Sequence, residues 1–280
     1  LTRGVSSEHV DQARDIDHDP LATQPDMAER KDAFSFPAGA ASGVLLHEIF
    51  EKIDFAAGAG EIQEMCRQAL VSHGFDPGWT DTVSSMVQRV LGADLGGFSL
   101  RDVGATNRLS ELEFFYPLRL VGWRELGDAL EACIGCDLPA GQGLKTPRLV
   151  FDPIRGFVRG FMDLVFSHGG KFYLVDWKSN RLGENPSVYS PASLQEAMLR
   201  NNYVLQYLLY LVGLDLYLAS RVPGYRYETH FGGVFYVFLR GVNPGWGAGS
   251  GIYYARPSTA ALGRIRAALV GGPGTGGPLP

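Results

Sequence analysis

The sequence predicts an α/β domain in which helices surround a few central strands. Two observations carry this prediction: apolar residues recur at helical spacing early in the chain, and short, dense apolar runs of strand type follow later. The chain has 280 residues, 45% of them hydrophobic, which is enough for one large domain with appendages. No run approaches the ~18–20 continuous apolar residues of a membrane span, so we expect no membrane association.

The N-terminal part is predicted to be helical after a disordered leader. Residues 1–33 are polar and acidic without an apolar period, so we expect a linker or leader there. In "VLLHEIFEKIDF", Leu46, Ile49 and Phe50 recur at helical spacing, and "EIQEMCRQALVSHG" and "TDTVSSMVQRVLGADL" continue the pattern. No secretory signal is apparent, which favours a cytoplasmic protein, and the missing initiator Met suggests a piece of a longer chain.

The remaining elements alternate between strands and helices. "RLSELEFFYPLRLV" is predicted to be a strand, "WRELGDALEACIG" a helix, and "RGFMDLVFSHGGKFYLVDWKSN" a hairpin. One long amphipathic helix is expected in "SPASLQEAMLRNNYVLQYLLYLVGLDLYLASRV", with Ser190 or Ser193 as its N-cap. "THFGGVFYVFLRGV" predicts a strand buried on both faces, and "GIYYARP" a short strand. The domain then covers residues 34–270, before a disordered Gly/Pro tail at 271–280.

The three cysteines, Cys66, Cys133 and Cys136, are too few for a disulfide framework and fit a reducing compartment. Cys133 and Cys136 form a C-x-x-C pair, but a structural metal site needs four ligands and no second pair exists. We therefore expect two packed thiols at this pair.

Charge is distributed unevenly along the chain. The net charge of −5 gives no overall support to a nucleic-acid partner. Residues 145–181, however, contain seven Lys or Arg against three Asp, a local excess of four positive charges. Such a basic segment either contacts phosphates or forms a solvated face, and charge alone does not separate the two.

The predicted hairpin carries two aspartates among apolar neighbours. A two-residue turn at Gly169-Gly170 puts Asp163 directly opposite Asp176, and a four-residue turn ending at Gly170 makes them diagonal neighbours. In either register both aspartates share a face with Lys178, because side chains alternate with a period of two. Two carboxylates within ~5–8 Å suit Mg²⁺ or Mn²⁺, and a nearby lysine can orient or deprotonate water. This arrangement suits phosphodiester hydrolysis, and a polar strip on an edge hairpin is the alternative.

The hairpin, followed by "YVLQYLLYLVGLDLYL", closely resembles the C-terminal nuclease domain of the RecB family, which has the PD-(D/E)xK pattern. The likeness extends from "FPAGAASGVLLHEIFEKIDF" to "GGVFYVFLRG" and "GIYYARP". It implies a restriction-endonuclease-like core, with a central mixed sheet flanked by helices and an N-terminal helical region. The acidic leader resembles, in position, the family's linker to the helicase part.

The resemblance implies specific roles at the site. Asp163 and Asp176 match the metal-binding carboxylates of the family, and Lys178 matches its catalytic lysine. His47 matches the histidine that completes the metal site. The backbone carbonyl of Trp177 is expected as a further ligand, as in similar nucleases.

Other matched residues have supporting roles. Glu51, one helical turn after the family histidine, is expected behind the metal ligands. Gln206 and Tyr210 match a Q-x-x-x-Y element that supports the lysine or contacts phosphates, with ordinary helix packing as the alternative. The family's acidic residue before the aromatic residues of "SELEFFYP" corresponds to Glu111 or Glu113. Four arginines are candidates for DNA backbone contacts: Arg148, Arg155, Arg159 and Arg181.

The resemblance further implies a Mg²⁺-dependent deoxyribonuclease of the exonuclease V type, acting exo- and endonucleolytically on single strands delivered by a helicase. Mn²⁺ or Ca²⁺ could occupy the same site. Implied partners are DNA, RecC- and RecD-type subunits and RecA, in double-strand break repair and recombination. We expect no ATP site, since no Walker A motif is present, and no iron–sulfur cluster, which needs four cysteines in the relevant relatives. The alternatives are a catalytically silent docking module and a hydrolase acting on another substrate.

Overall fold

The computed structural model describes residues 31–137 and 154–271, without the side chains of residues 134–137. Most of the predicted leader and tail therefore lies outside the described residues, and so does Arg148. The described chain forms an α/β fold around one mixed sheet. This confirms the predicted fold class.

The sheet has five strands in the spatial order in which they occur along the chain. The parallel pair is β3 and β4, and the other neighbours are antiparallel. β4 is buried along its whole length, as predicted. The strands are β1 (Arg108–Val121), β2 (Ile154–His168), β3 (Lys171–Lys178), β4 (Phe231–Phe238) and β5 (Ile252–Ala255).

Helices cover the sheet on both faces and create two separate cores. On one face lie the N-terminal helices α1 (Ala40–Lys52), α2 (Ala59–Ser72) and α3 (Thr80–Leu91). The opposite face is covered by α4 (Trp123–Asp137), α5 (Pro191–Arg200), α6 (Tyr203–Arg221) and α8 (Thr259–Leu269), while the short α7 (Tyr227–His230) precedes β4. We call these the α1–α3 face and the α6 face.

The hairpin between β2 and β3 has the two-residue turn. Gly169 and Gly170 both have positive φ, 56° and 75°, as in a type I′ turn. His168 pairs with Lys171, which confirms this register and excludes the four-residue turn. The ladder ends at the pair of Leu164 and Val175, one step before the two aspartates.

The single long helix predicted after the hairpin is wrong, because the segment forms two helices. Asn202, between α5 and α6, has φ 59° and lies in the left-handed region, which ends the first helix. Asparagine tolerates this conformation better than most residues, so the pair at 201–202 was the missed signal. Of the two proposed N-caps, Ser190 caps α5 by accepting a hydrogen bond from the N–H of Ser193.

The helix α6 has the length and apolar composition of a membrane span, although Gln206 and Asp215 interrupt its apolar residues. More than half of it is buried inside the protein. Its residues Leu208, Leu211 and Leu214 are at most 1% exposed and belong to the core on the α6 face. Within the described residues, α6 is thus placed as the central helix of a packed core.

The side-chain alternation of β1 and β2 reverses part-way along both strands. Leu164 and Phe166 belong to the core on the α1–α3 face, but Met162, also an even-numbered residue of β2, belongs to the core on the α6 face. On β1 the reversal coincides with Glu111, whose φ of 52° is rare for a residue with a side chain. The outer halves of β1 and β2, beyond this point, form what we call the distal ribbon (112–121 and 154–162).

The distal ribbon is anchored by Phe114, whose ring fits between two glycines. A Cβ on Gly160 of β2 would lie 2.8 Å from this ring, and one on Gly213 of α6 would lie 2.7 Å from it. Real side chains do not tolerate contacts this short, so both positions need glycine for α6 and the ribbon to meet.

Substituting Gly160 by Ala should therefore destabilise the domain by about 1–3 kcal/mol, since the methyl group overpacks the Phe114 ring. Gly156, on the same strand, is the matched control, because a Cβ there meets no atom within 4 Å. Urea denaturation of both variants measures the difference. Equal stabilities of Gly160→Ala and Gly156→Ala would contradict this packing.

Candidate metal centre

Three side chains from different elements meet where the strand faces reverse. His47 of α1, Glu111 of β1 and Asp163 of β2 each offer a ligand atom, and these atoms all lie within 4.8 Å of one another. His47 Nδ1 is 3.4 Å from Asp163 Oδ1, with the two side chains 23% and 14% exposed. One imidazole and two carboxylates, partly open to solvent, form a donor set that suits Mg²⁺ or Mn²⁺.

Asp163 is held in its ionised form. Its Oδ2 accepts a hydrogen bond from the backbone N–H of Trp177 at 2.7 Å. Burial alone would raise the pKa of Asp163, but His47, the Trp177 N–H and the charge of Lys178 together lower it below the ordinary value. A carboxylate that is charged at neutral pH needs no deprotonation before it can bind a cation.

Asp176 and Lys178 form a deeply buried ion pair on β3. The two residues are 3% and 2% exposed, and Lys178 Nζ lies 2.9 Å from Asp176 Oδ2. The same ammonium lies 4.0 Å from the ring centroid of Tyr203 and 5.4 Å from that of Tyr236. Aromatic faces stabilise a desolvated cation, which helps to offset the cost of burying it.

The structure thus brings the sequence-predicted residues together in two groups. His47 and Asp163 share the 4.8 Å cluster, whereas Asp176 lies in the ion pair with Lys178. The charge of Lys178 acts on Asp163, so the two groups are electrostatically connected. Metal ligation by Asp176 and by the Trp177 carbonyl stays a prediction.

Trp177 also fixes the position of α1. Its ring stacks on Phe50 with 4.6 Å between the centroids and an angle of 25° between the planes. Phe50 and His47 are three residues apart on α1 and lie on neighbouring parts of its surface. The stacking therefore holds the histidine against the end of β3.

The two candidate glutamates of β1 have different surroundings. Glu111 belongs to the three-residue cluster, whereas the exposed Glu113 accepts a hydrogen bond from Arg159 Nε at 2.6 Å. The left-handed backbone of Glu111 accompanies this placement at the reversal of the faces. Glu51, predicted behind the ligands, is exposed on α1 and contributes no atom to the cluster.

Gln206 and Tyr210 are connected to the lysine through one intermediate residue. Gln206 accepts a hydrogen bond from the hydroxyl of Tyr236 at 2.9 Å and donates one to Tyr210 at 3.0 Å. Tyr236 is one of the two tyrosines whose ring faces Lys178. The geometry therefore suits the expected support of the lysine, although the role itself stays a prediction.

The basic candidates lie in different places. Arg155 and Arg159 project from the exposed side of the distal ribbon. Arg181 is half-buried and lies 3.5 Å from the carbonyl oxygen of Phe34, to which it donates. Of the cysteines, Cys133 is a buried thiol, in agreement with its predicted packing, whereas the side chain of Cys136 lies outside the described residues.

Sequence reasoning missed Tyr203 and Tyr236, whose rings face the lysine, and Arg240, which contacts the residue after it. Arg240 is 1% exposed and donates to the carbonyl oxygen of Ser179, the residue after Lys178. A signal was available, because Arg240 follows directly on the apolar run "VFYVFL", where a charged side chain must find partners. The tyrosines gave no such signal among the many aromatic residues.

Comparison with known proteins decides the family. No protein-family model matches the chain. The RecBCD enzyme subunit RecB of Escherichia coli is 38% identical over 229 residues, which are 81% of this chain and 19% of that protein. The RecB of Haemophilus influenzae is 36% identical over 268 residues, 92% of this chain and 21% of that protein. The chain is homologous to the C-terminal domain of RecB.

This RecB relationship confirms the resemblance predicted from the motifs. RecB of Mycolicibacterium smegmatis is 32% identical over 285 residues, 91% of this chain and 26% of that protein. The chain spans about a fifth to a quarter of the length of the curated RecB proteins it matches. The two residue groups of the centre thus lie in a RecB-like domain with a PD-(D/E)xK-like core.

Removing one member of the buried ion pair should be costly. We expect Lys178→Met to destabilise the domain by about 3–5 kcal/mol, because it leaves the charge of Asp176 buried without its cation. Adding Asp176→Asn should restore part of this loss, which a double-mutant cycle in urea measures. Lys52→Met, which removes an exposed lysine paired with Glu48, is the control and should change little. Additive effects of the two pair substitutions would contradict the coupling.

Proposed function

We propose that the chain is a Mg²⁺-dependent DNA nuclease domain that hydrolyses phosphodiester bonds in single strands. The observation that carries this proposal is the ionised Asp163, held between His47 and Glu111 and beside the lysine of the buried Asp176–Lys178 pair. Two carboxylates, an imidazole and a buried ammonium in one place serve no evident packing purpose. They suit the handling of a charged phosphate and a cation.

The cation would be held by His47, Glu111 and Asp163, with Asp176 and the Trp177 carbonyl as further candidates. When bound, a divalent cation neutralises phosphate charge and lowers the pKa of coordinated water. Mn²⁺ or Ca²⁺ would fit the same oxygen-rich donor set.

Lys178 is assigned to the attacking water. Its ammonium is confined by Asp176 and two tyrosine rings, so that few of its rotamers are open and its donors point in fixed directions. A positioned donor orients a water molecule at little entropic cost during the reaction. The hydrogen bonds from Tyr236 to Gln206 and from Gln206 to Tyr210 hold the Tyr236 ring in its position beside the lysine.

The wider setting follows from the relatives. Because the similar proteins are named RecBCD enzyme subunit RecB, we propose that the chain works within a RecBCD-type complex in the cytoplasm. Its partners would be RecC- and RecD-type subunits, with RecA at the step after resection. In this setting the single strands, cut both from the end and internally, would be delivered by a helicase, in double-strand break repair and recombination.

Cleavage of labelled single-stranded DNA in Mg²⁺ tests the activity. At a temperature at which circular dichroism shows each variant to be folded, we expect Lys178→Met to lower the rate at least about 100-fold, the scale of losing a positioned proton-handling group. Lys52→Met, an exposed lysine of α1, should cleave like the unmodified chain. A chain that neither cleaves DNA nor binds a divalent cation would instead be a silent docking module. Activity that survives Lys178→Met would remove the lysine from the mechanism.

Cation binding is tested separately, without DNA. Mn²⁺ should raise the melting temperature of the chain, because an ion bound only by the native state stabilises it. We expect Glu111→Gln to reduce this shift by weakening the carboxylate pair. Glu113→Gln is the matched control two residues away and should retain the shift. If both variants lose the same part of the Mn²⁺-induced melting-temperature shift, cation binding by the three-residue cluster would be contradicted.

A further inference from the structure

The outward side of the distal ribbon alternates arginine and phenylalanine. Along β2, every second residue from 155 to 161 is exposed, and these residues are Arg155, Phe157, Arg159 and Phe161. Phe115 joins them from β1, since it pairs directly with Arg159. We call these five residues the Arg–Phe face.

The aromatic rings of the Arg–Phe face are unusually open. Phe157, Phe115 and Phe161 are 63%, 58% and 38% exposed in the described structure. Phe115 and Phe157 stack on each other with centroids 4.6 Å apart and planes at 13°. Exposed apolar patches of this kind on an otherwise polar surface mark binding sites.

This openness has a structural cause. The intervening residues of the ribbon point to the α6 face, where Phe114 fits between Gly160 and Gly213. The reversal at Glu111 turns the odd-numbered side chains of the ribbon to the side on which α1 carries the histidine. On this side the rings of Phe115, Phe157 and Phe161 remain exposed to solvent.

The Arg–Phe face is continuous with the candidate metal centre. Asp163 is the next residue of the same alternation after Phe161, and Glu111 precedes Phe115 by four residues on β1. From Asp163 to Phe157 the strand rises about 20 Å, at ~3.3 Å per residue. A linear chain lying on the rings would therefore lead directly to the carboxylates.

The chemistry of the face fits one occupant best. Phenylalanine rings stack on nucleobases of any sequence, and arginines between them can contact the phosphates. Within the outward side of the distal ribbon, Glu113 pairs with Arg159 at 2.6 Å and Arg155 adds a further positive charge, so the ribbon part of this side carries a net positive charge. Protein interfaces are also rich in aromatic residues and arginine. The continuity with a centre suited to phosphodiesters favours a nucleic acid.

We propose that the Arg–Phe face binds single-stranded DNA, with bases stacked on the phenylalanines and phosphates at Arg155 and Arg159, and leads the strand to the metal centre. The proposal deepens the nuclease function and rests on it for the identity of the strand. A duplex would bind the face poorly, because its bases are stacked on each other and cannot reach the rings.

Fluorescence anisotropy of a labelled oligothymidylate in EDTA tests the proposal without cleavage. We expect the double variant Phe115→Leu and Phe157→Leu to bind about tenfold or more weakly, since the bases lose their stacking on two aromatic rings. Leucine keeps the apolar surface and removes only the π-face. Val71→Ala, which shortens an exposed apolar residue of α2, is the control and should bind normally.

Salt dependence gives an independent readout. Removing one phosphate contact from a single-strand complex should lower the slope of log K against log salt by about 0.7. We expect this decrease for Arg155→Gln and none for Val71→Ala. Thermal unfolding verifies that each variant folds.

The outcomes separate this proposal from the nuclease function. Phenylalanine variants that bind single strands like the unmodified chain overturn the proposal, whether or not the chain cleaves DNA. This result is also expected if the face docks a protein instead. If the unmodified chain binds but does not cleave single-stranded DNA, and the phenylalanine variants bind it more weakly, the result would support binding at the Arg–Phe face and reject the nuclease function. If the phenylalanine variants lose as much affinity for duplex DNA as for single strands, stacking of bases on the rings would also be overturned.

Discussion

The buried guanidinium of Arg240 holds together the parts of the molecule on which the candidate centre depends. It follows β4 and donates to the carbonyl oxygens of Ser179 at 2.8 Å, Ala33 at 2.9 Å, Phe36 at 2.6 Å and Pro37 at 2.7 Å. A buried charge is tolerable only with such charge-assisted hydrogen bonds. Because Ser179 follows the catalytic candidate on β3 and residues 33–37 precede α1, this single side chain ties the lysine to the helix that carries the histidine.

The candidate centre combines a buried, nearly solvent-free ion pair with a cluster that is partly exposed to solvent. The ion pair of Asp176 and Lys178 is nearly solvent-free and faces two tyrosine rings. His47 and Asp163 are partly exposed, with 23% and 14% of their side chains accessible. The buried pair holds the lysine ammonium in a fixed orientation, and the partly exposed cluster is accessible from solvent.

Local patterning predicted most of the helices, the strands and the turn register, because periodicity and the Gly169-Gly170 pair report short-range geometry. It did not predict the break at Asn202, where one residue in the left-handed region outweighs a long amphipathic pattern. Nor could it choose between Glu111 and Glu113, which a regular strand places on one face. The choice accompanies the φ of 52° at Glu111, where the side chains of both strands change the faces to which they point.

The three side chains of the open cluster, His47, Glu111 and Asp163, come from distant parts of the chain, and this has a consequence for how the domain folds. Residues 47 and 111 are separated by 64 positions, and residues 111 and 163 by 52. The β2–β3 hairpin has local contacts and a favourable turn, but the ligand cluster exists only after two long loops have closed. An ion that binds all three ligands can therefore distinguish the finished domain from partly folded forms. A divalent cation that binds this cluster only in the native state would stabilise the finished domain by mass action.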